Sequence, residues 1–395
     1  MANIQERRDE SGRLISYGIR VYRGRDAEGR QLKPFTTTFK VEPTWSEKTA
    51  QKKAEAFAAV FERDCRSGLV PDTRQTVTEY IRYCLSIKEK RGVKNTTLTL
   101  YRSLAERLII PHIGYIKLKD IRPQTLNELY SILSADGMHK NGGCLSAKTI
   151  LEVHRLLHTV FDQAMKEMLI PYNPADRVEP PRRQHNNPVF YQPDEVNAIL
   201  QALQTEPPLW RMLVILLLTS GCRRGEALGL KWEDVDFTYS RIHICRNLLY
   251  TVERGVYEDT PKTQNSVRYV TLPASTMMEL QNYRTWQDAE KVRLAEYYWE
   301  QGYVFSQDNG NPIHPTSVGS WLTKFAERNS LPHLTAHGFR HTMASMLIYN
   351  GVDPVTVSHR LGHDQVSTTT DIYSHMISDA DSRSADVIAE MLSPV

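Results

Sequence analysis

Two periodicities divide the chain. Near the N-terminus the buried-type positions recur at every second residue, as Ile15, Tyr17, Ile19 and Val21 and then as Phe35, Thr37, Phe39 and Val41. That period predicts half-buried strands, and the Gly and Asp residues of 23–30 predict a hairpin turn between them. From Ser46 to about Arg66 the spacing changes to three and four, with Ala50, Ala54, Phe57, Ala58 and Phe61 on one face. A helix there would cover the apolar side of a two- or three-stranded sheet, which is too small to be stable uncovered.

The helical period then continues over residues 77–88, 97–109, 123–134 and 146–167, with Thr96-Thr97 and Ser146 as expected caps. Asn173-Pro174 closes this stretch, and the Pro- and Arg-rich residues 180–188 read as an extended basic linker. Gln192-Pro193-Asp194-Glu195 opens a new helical region. Residues 212–218 are continuously apolar, which predicts a buried helix and is far too short to span a bilayer. Residues 241–247 and 267–272 look like strands, and Lys262 between them falls on or beside a β-turn. The expected fold is multidomain and mainly α with small β-sheets. A sheet-plus-helix domain spans 1–73, a helical domain 74–180, a linker 181–188 and a mixed α+β domain 189–395. The last of these ends in a tail helix over 380–392, with Ala385, Ile388, Ala389 and Leu392 on one face.

Composition narrows the class. Hydrophobic content of 41% and charge of 24% are those of a globular protein. Five cysteines at scattered spacings (Cys65, Cys84, Cys144, Cys222, Cys245) argue for a reducing compartment, and the N-terminus lacks the apolar run of a signal peptide, so a cytoplasmic location is expected. The net charge is only +3, but it is unevenly spread. Residues 1–74 carry 15 Lys/Arg against 11 Asp/Glu, residues 75–187 carry 17 against 11, and residues 188–395 carry 17 against 24. The two leading segments are therefore suited to gripping phosphates. Arg20, Tyr22, Arg23, Arg25 and Lys33 are candidates for an exposed sheet face entering a DNA groove. Lys94, Arg102, Lys140 and Lys148 are candidate phosphate contacts at helix ends and loops. The competing reading of each is a solvated surface charge.

The chemistry concentrates in residues 335–375. His337, Arg340 and His341 fall within one helical turn, while Phe339, Met343, Met346 and Leu347 would bury the other side. Gly351 stops that helix and Asp353-Pro354 starts another, which ends at Leu361-Gly362-His363; Tyr373 follows. His337/His341 and His359/His363 have the i,i+4 spacing of helical zinc ligands. A zinc-protease helix needs Glu directly after the first His, however, and Gly338 stands there. No metal is expected. A cation cluster, a histidine and a phenol point instead to an anion beside a nucleophile, and a phosphodiester fits best.

These residues resemble the tyrosine recombinases. Arg223 in T-S-G-C-R-R-G-E, Lys262 between the strand-like runs, His337 and Arg340 in H-G-F-R-H, His363 in L-G-H and Tyr373 in T-T-D-I-Y-S-H stand in that family's order. Residues 74–180 resemble its helical, SAM-like core-binding domain. Residues 1–73 resemble the arm-binding domain of integrases from conjugative transposons and temperate phages. The resemblance implies a site-specific recombinase that integrates and excises a mobile element, with double-stranded DNA (core and arm sites) as partner and a homotetramer on that DNA. An excisionase and DNA-bending host factors would be accessory partners; no cofactor, metal or membrane is implied, and no phosphate-cradling G-x-x-x-x-G-K-[ST] loop is present. It also implies roles: Tyr373 as nucleophile, Arg223 and Arg340 as the phosphate clamp, His337 as base, Lys262 as general acid, His363 as a phosphate donor and Glu226 as orienter. Arg224 and His341 read as structural, and the tail helix docks on a neighbouring subunit or on its own domain. A non-catalytic DNA-binding regulator with this fold, and a type IB topoisomerase-like relaxing enzyme, are the alternatives. The acidic balance after residue 188 is not part of the pattern.

Overall fold

The computed structural model describes residues 2–25, 29–66, 75–135, 142–182, 190–261, 264–362 and 364–365. They form two compact units, Met1–Gln184 and His185–Val395.

The first unit opens with an antiparallel sheet of order β1 (Asn3–Arg8), β2 (Leu14–Val21) and β3 (Phe35–Lys40). Tyr17 and Leu14 on one face pack with Ile4, Phe39, Val41 and Trp45 against Ala50 and Ala54 of α1 (Glu47–Arg66). Ile15 departs from the expected alternation and is exposed. The cause is a register shift: Arg7 pairs with Ser16 but Arg8 with Leu14, so one extra residue on β2 turns Leu14 inward and Ile15 outward.

Five α-helices follow around a separate core that includes Tyr80, Ile109, Leu126 and Phe161. α2 (Val77–Lys90) begins with a capping box, in which Thr76 accepts from the Glu79 N–H and the Glu79 carboxylate accepts from the Thr76 N–H. α3 (Asn95–Leu104) starts one residue before the Thr96-Thr97 pair expected to cap it, and Lys94 holds the cap position. The predicted helix to Ile109 is interrupted by a widened π turn, Ala105–Ile109, before α4 (Ile110–Ile113). Pro111 accounts for this, because its ring nitrogen cannot donate into the preceding turn. α5 (Pro123–Leu133) and α6 (Ala147–Lys166) complete the set, the latter capped by the Ser146 hydroxyl accepting from the Thr149 N–H at 3.2 Å.

The second unit is built around α8 (Pro208–Ser220), whose Met212, Leu213, Val214, Leu216 and Leu217 are all buried. It follows α7 (Pro193–Ala202) and leads to α9 (Arg224–Leu228). Strands β4 (Val235–Asp236), β5 (Arg241–Ile244) and β8 (Arg268–Thr271) form one antiparallel sheet, and β6 (Asn247–Thr251) and β7 (Gly255–Asp259) form a hairpin. Residues 241–247 are thus not one strand. The Cys245 thiol and the Arg246 guanidinium both turn to the Asp234 carboxylate, and the backbone leaves the first sheet there. α10 (Ala274–Leu294), α11 (Pro315–Arg328), α12 (Ala336–Tyr349) and α13 (Pro354–Leu361) close the core, with Phe305, Phe325 and Phe339 fully enclosed.

Candidate active site

The site forms where two helix ends meet. α8 terminates at Gly221 in a left-handed conformation (φ 63°), and Met343 of α12 occupies the space that a Cβ there would need. α13 likewise terminates at Gly362 (φ 65°). Each end leaves carbonyls with no helical partner, which gather negative charge. Arg340 of α12 satisfies both ends at once. It is buried, and its guanidinium donates to Gly221 O at 2.7 Å and to Leu361 O at 2.7 Å.

Arg223 reaches the same place from the start of α9. Its backbone N–H and its Nη1 donate to the two carboxylate oxygens of Glu226, at 2.9 and 2.7 Å, and its Nη2 to Gly362 O at 3.4 Å. Glu226 is buried and shared, since Arg268 of β8 donates to its Oε2 at 3.0 Å. Burial works to raise the Glu226 carboxyl, but Arg268 and Arg223 outweigh it and hold the group below the ordinary glutamate range. Burial and the neighbouring Arg223 pull Arg340 down to about 9, with Glu226 opposing. Cations are in excess here, and the imbalance favours an incoming anion.

His337 and His341 stand on the first turns of α12 with their rings edge to face, centroids 4.4 Å apart. Burial, and then Arg340 and Arg223, lower His337 below the usual imidazole value, which favours the neutral ring. His341 is buried and lowered further, to about 4, by burial and then by His337 and Arg340. A cleft of about 520 Å³ opens beside them, lined by Arg223, Arg224, Thr323, His333, Thr335 and His337 among others. Arg224, read from sequence as structural, is exposed and lines the same cleft.

Lys262, His363 and Tyr373 lie outside the described residues, as do Lys140, most of the linker and the tail helix. Asn265, three residues after Lys262, donates to the carboxylate of Asp364, the neighbour of His363, at 3.4 Å. Two arginines in this cluster were not legible in the sequence. Arg268 sits in an alternating strand where an arginine reads as solvent-facing, yet its side chain is only 7% exposed. Arg360 donates to Thr219 O and Thr271 O, tying α13 to α8 and β8.

The leading sheet carries a second group of candidates. Alternation places Asn3, Gln5, Arg7, Ser16, Gly18, Arg20, Thr36, Thr38 and Lys40 on the face away from α1, none of them acidic, with the outward-turned Ile15 at one edge of the set. Of the candidates only Arg20 belongs to it. Tyr22, Arg23, Arg25 and Lys33 lie past the end of β2 in the connection to β3, where Arg23 stacks on Phe35 at 4.5 Å and Arg25 donates to Gly29 O. Arg7 and Lys40 are the cations that sequence reasoning missed. In the helical bundle, Lys148 is exposed in the first turn of α6, Lys94 is half-buried at the start of α3, and Arg102 is paired with Glu89 at 2.7 Å.

Among the described residues, one group could present three donors to a metal ion, Asp234, His243 and Cys245. The Asp234 carboxylate there is already engaged by Arg246, the Lys231 N–H and the Cys245 thiol. No described helix is long and apolar enough to cross a membrane.

Residues 190–379 match the model of the phage integrase family, and residues 82–134 match the SAM-like N-terminal domain of phage integrases. The chain belongs to the phage integrase family. It is 28% identical to a XerC-like tyrosine recombinase of Caldanaerobacter subterraneus subsp. tengcongensis, covering 91% of this chain and 92% of that one. It is 27% identical to the ICEBs1 integrase of Bacillus subtilis, over 63% of this chain and 67% of that one. Among solved structures the fold is similar to that of the Tn1549 transposon integrase in complex with transposon right end DNA. The TM-score is 0.67 at 22% identity, over 80% of this chain and 99% of that one.

Proposed function

We propose that this phage-integrase-family protein is a site-specific DNA recombinase that integrates and excises a mobile element. The observation that carries the reading is the pairing of Arg223 and Arg340 at the joined ends of α8 and α13, with a surplus of positive charge and the His337 imidazole one turn away. Phosphodiester transfer places extra negative charge on the non-bridging oxygens, and two guanidinium forks are shaped to receive it. Tyr373 attacks phosphorus while His337 takes the phenolic proton. The 5′ oxygen leaves with a proton from Lys262, and a 3′-phosphotyrosyl link and a free 5′-hydroxyl result. His363 donates to the phosphate. The link keeps the energy of the bond it replaced, so attack by another strand's 5′-hydroxyl reverses the step without ATP.

The polar, cationic sheet face over β1–β3 supports binding of arm-type DNA, and the basic helical bundle supports binding of the core site. Four cleavages are needed to exchange strands between two duplexes, so four protomers act together. Solved family members include a lambda integrase tetramer bound to a Holliday junction. Excisionase and DNA-bending factors would bias direction.

The test is recombination by the purified protein between a circular junction of the element's ends and a target plasmid, with the product junctions sequenced. Defined junctions are expected. Supercoil relaxation without new junctions would replace this reading with a topoisomerase-like one, and binding without cleavage would replace it with a regulator.

A further inference from the structure

Arg268 is the point at which three separate segments meet. Its Nη2 donates to Glu226 Oε2 at 3.0 Å, its Nη1 to Ser266 O at 2.9 Å and its Nε to Arg360 O at 2.7 Å. The guanidinium lies directly beneath Gly362, where an added Cβ would stand 2.9 Å from Nη1. One side chain thus holds the start of α9, which carries Arg223; the 264–266 turn next to Lys262; and the end of α13 next to His363. A flat group with five N–H donors in fixed directions is suited to this, and an ammonium is not.

The charge of Arg268 matters as much as its shape. Glu226 is buried and has two oxygens: Oε1 takes the Arg223 side chain and Oε2 takes Arg268. Without Arg268, the uncompensated carboxylate would draw Arg223 further onto itself and away from the cleft it lines. Without Glu226, Arg268 would be the buried charge left unpaired. We infer that Arg268 is a positioning residue for strand transfer: by neutralising half of Glu226 it leaves Arg223 free to turn to the scissile phosphate. This rests on the recombinase reading above.

The test compares Arg268→Met, Glu226→Gln and the double variant in the full-length protein. The substrate is a nicked duplex carrying the crossover sequence recovered from recombined junctions. Each single variant should lose ~100-fold in single-turnover adduct formation, the loss expected when a clamp is displaced by about an ångström, with DNA affinity within a few-fold of the parent. The double variant should recover at least tenfold over Arg268→Met, because a neutral amide still accepts from Arg223 and needs no second cation. Arg268→Lys, which keeps the charge but not the fork, should fall between the parent and Arg268→Met. Equal cleavage by Arg268→Met and the parent, or a double variant with losses that simply add, would overturn the inference.

A second readout does not depend on cleavage. Thermal melting of the same four proteins should show the double variant more stable than the two single losses predict. Additive melting shifts would refute the pairing. A parent protein that forms no adduct, with coupled melting shifts intact, would count against the recombinase reading and not against the pairing.

Discussion

The two cationic regions of this protein are built in opposite ways. On the sheet of β1–β3, Arg7, Arg20 and Lys40 are exposed on a polar face. At the ends of α8 and α13, Arg340 and Arg268 are buried, and carbonyls of Gly221, Leu361, Ser266 and Arg360 fix them in place. An exposed cation gains a phosphate by displacing counter-ions, tolerates small displacements and is sensitive to salt. A buried one is desolvated before the substrate arrives and works only at the right place, but it costs no reorganisation when charge develops. The first arrangement suits affinity, the second suits bond cleavage.

That contrast is most exposed to failure at Arg223. The Arg223→Lys variant keeps the charge and loses the fork, so single-turnover cleavage should fall by about 10²- to 10³-fold, the effect of removing one preorganised donor to a developing charge. Binding of the same duplex should hardly change, since the side chain is not a core element. A loss in affinity as large as the loss in rate would show Arg223 to be a binding cation like those of the sheet.

The sheet should respond in the reverse sense. Replacing Arg7, Arg20 and Lys40 together by alanine should make the log-affinity for arm-site DNA less steep in log salt, by about one unit for each phosphate contact removed. Cleavage of an isolated core site should be unaffected. An unchanged salt slope would remove this face from the DNA interface.

The smallest expected effect is on stability against pH. His341 is buried, and its pKa of about 4 lies below the 6.5 of an unfolded histidine. Between these values the unfolded chain binds a proton that the folded chain refuses, so stability falls as pH drops from about 6.5 towards 4. The melting temperature should decline over that window, and His341→Gln should flatten the decline. An identical pH profile in the variant would place the titration elsewhere.

The layout of elements was largely readable because it rests on period and caps. Ser46, Ser146, Gln192 and Asp353 stand at helix starts, and the alternation at β2 and β3 is plain. What failed were features of pairing. The extra residue at Leu14-Ile15, the π turn before Pro111 and the break after Ile244 each depend on a partner that spacing does not show. In the site, Arg223, His337 and Arg340 could be named from their local context. Arg268 and Arg360 could not, because what distinguishes them is the set of carbonyls they satisfy from distant segments.

The central claim is that the phenolic oxygen of Tyr373 attacks a phosphodiester held by Arg223 and Arg340. The most direct measurement is peptide mapping of the covalent complex trapped on a nicked crossover duplex. The peptide containing Tyr373 should carry the DNA through a 3′-phosphate, opposite a free 5′-hydroxyl, and Tyr373→Phe should abolish the complex while retaining binding. A covalent complex that maps to another residue, or that persists in Tyr373→Phe, would contradict the account.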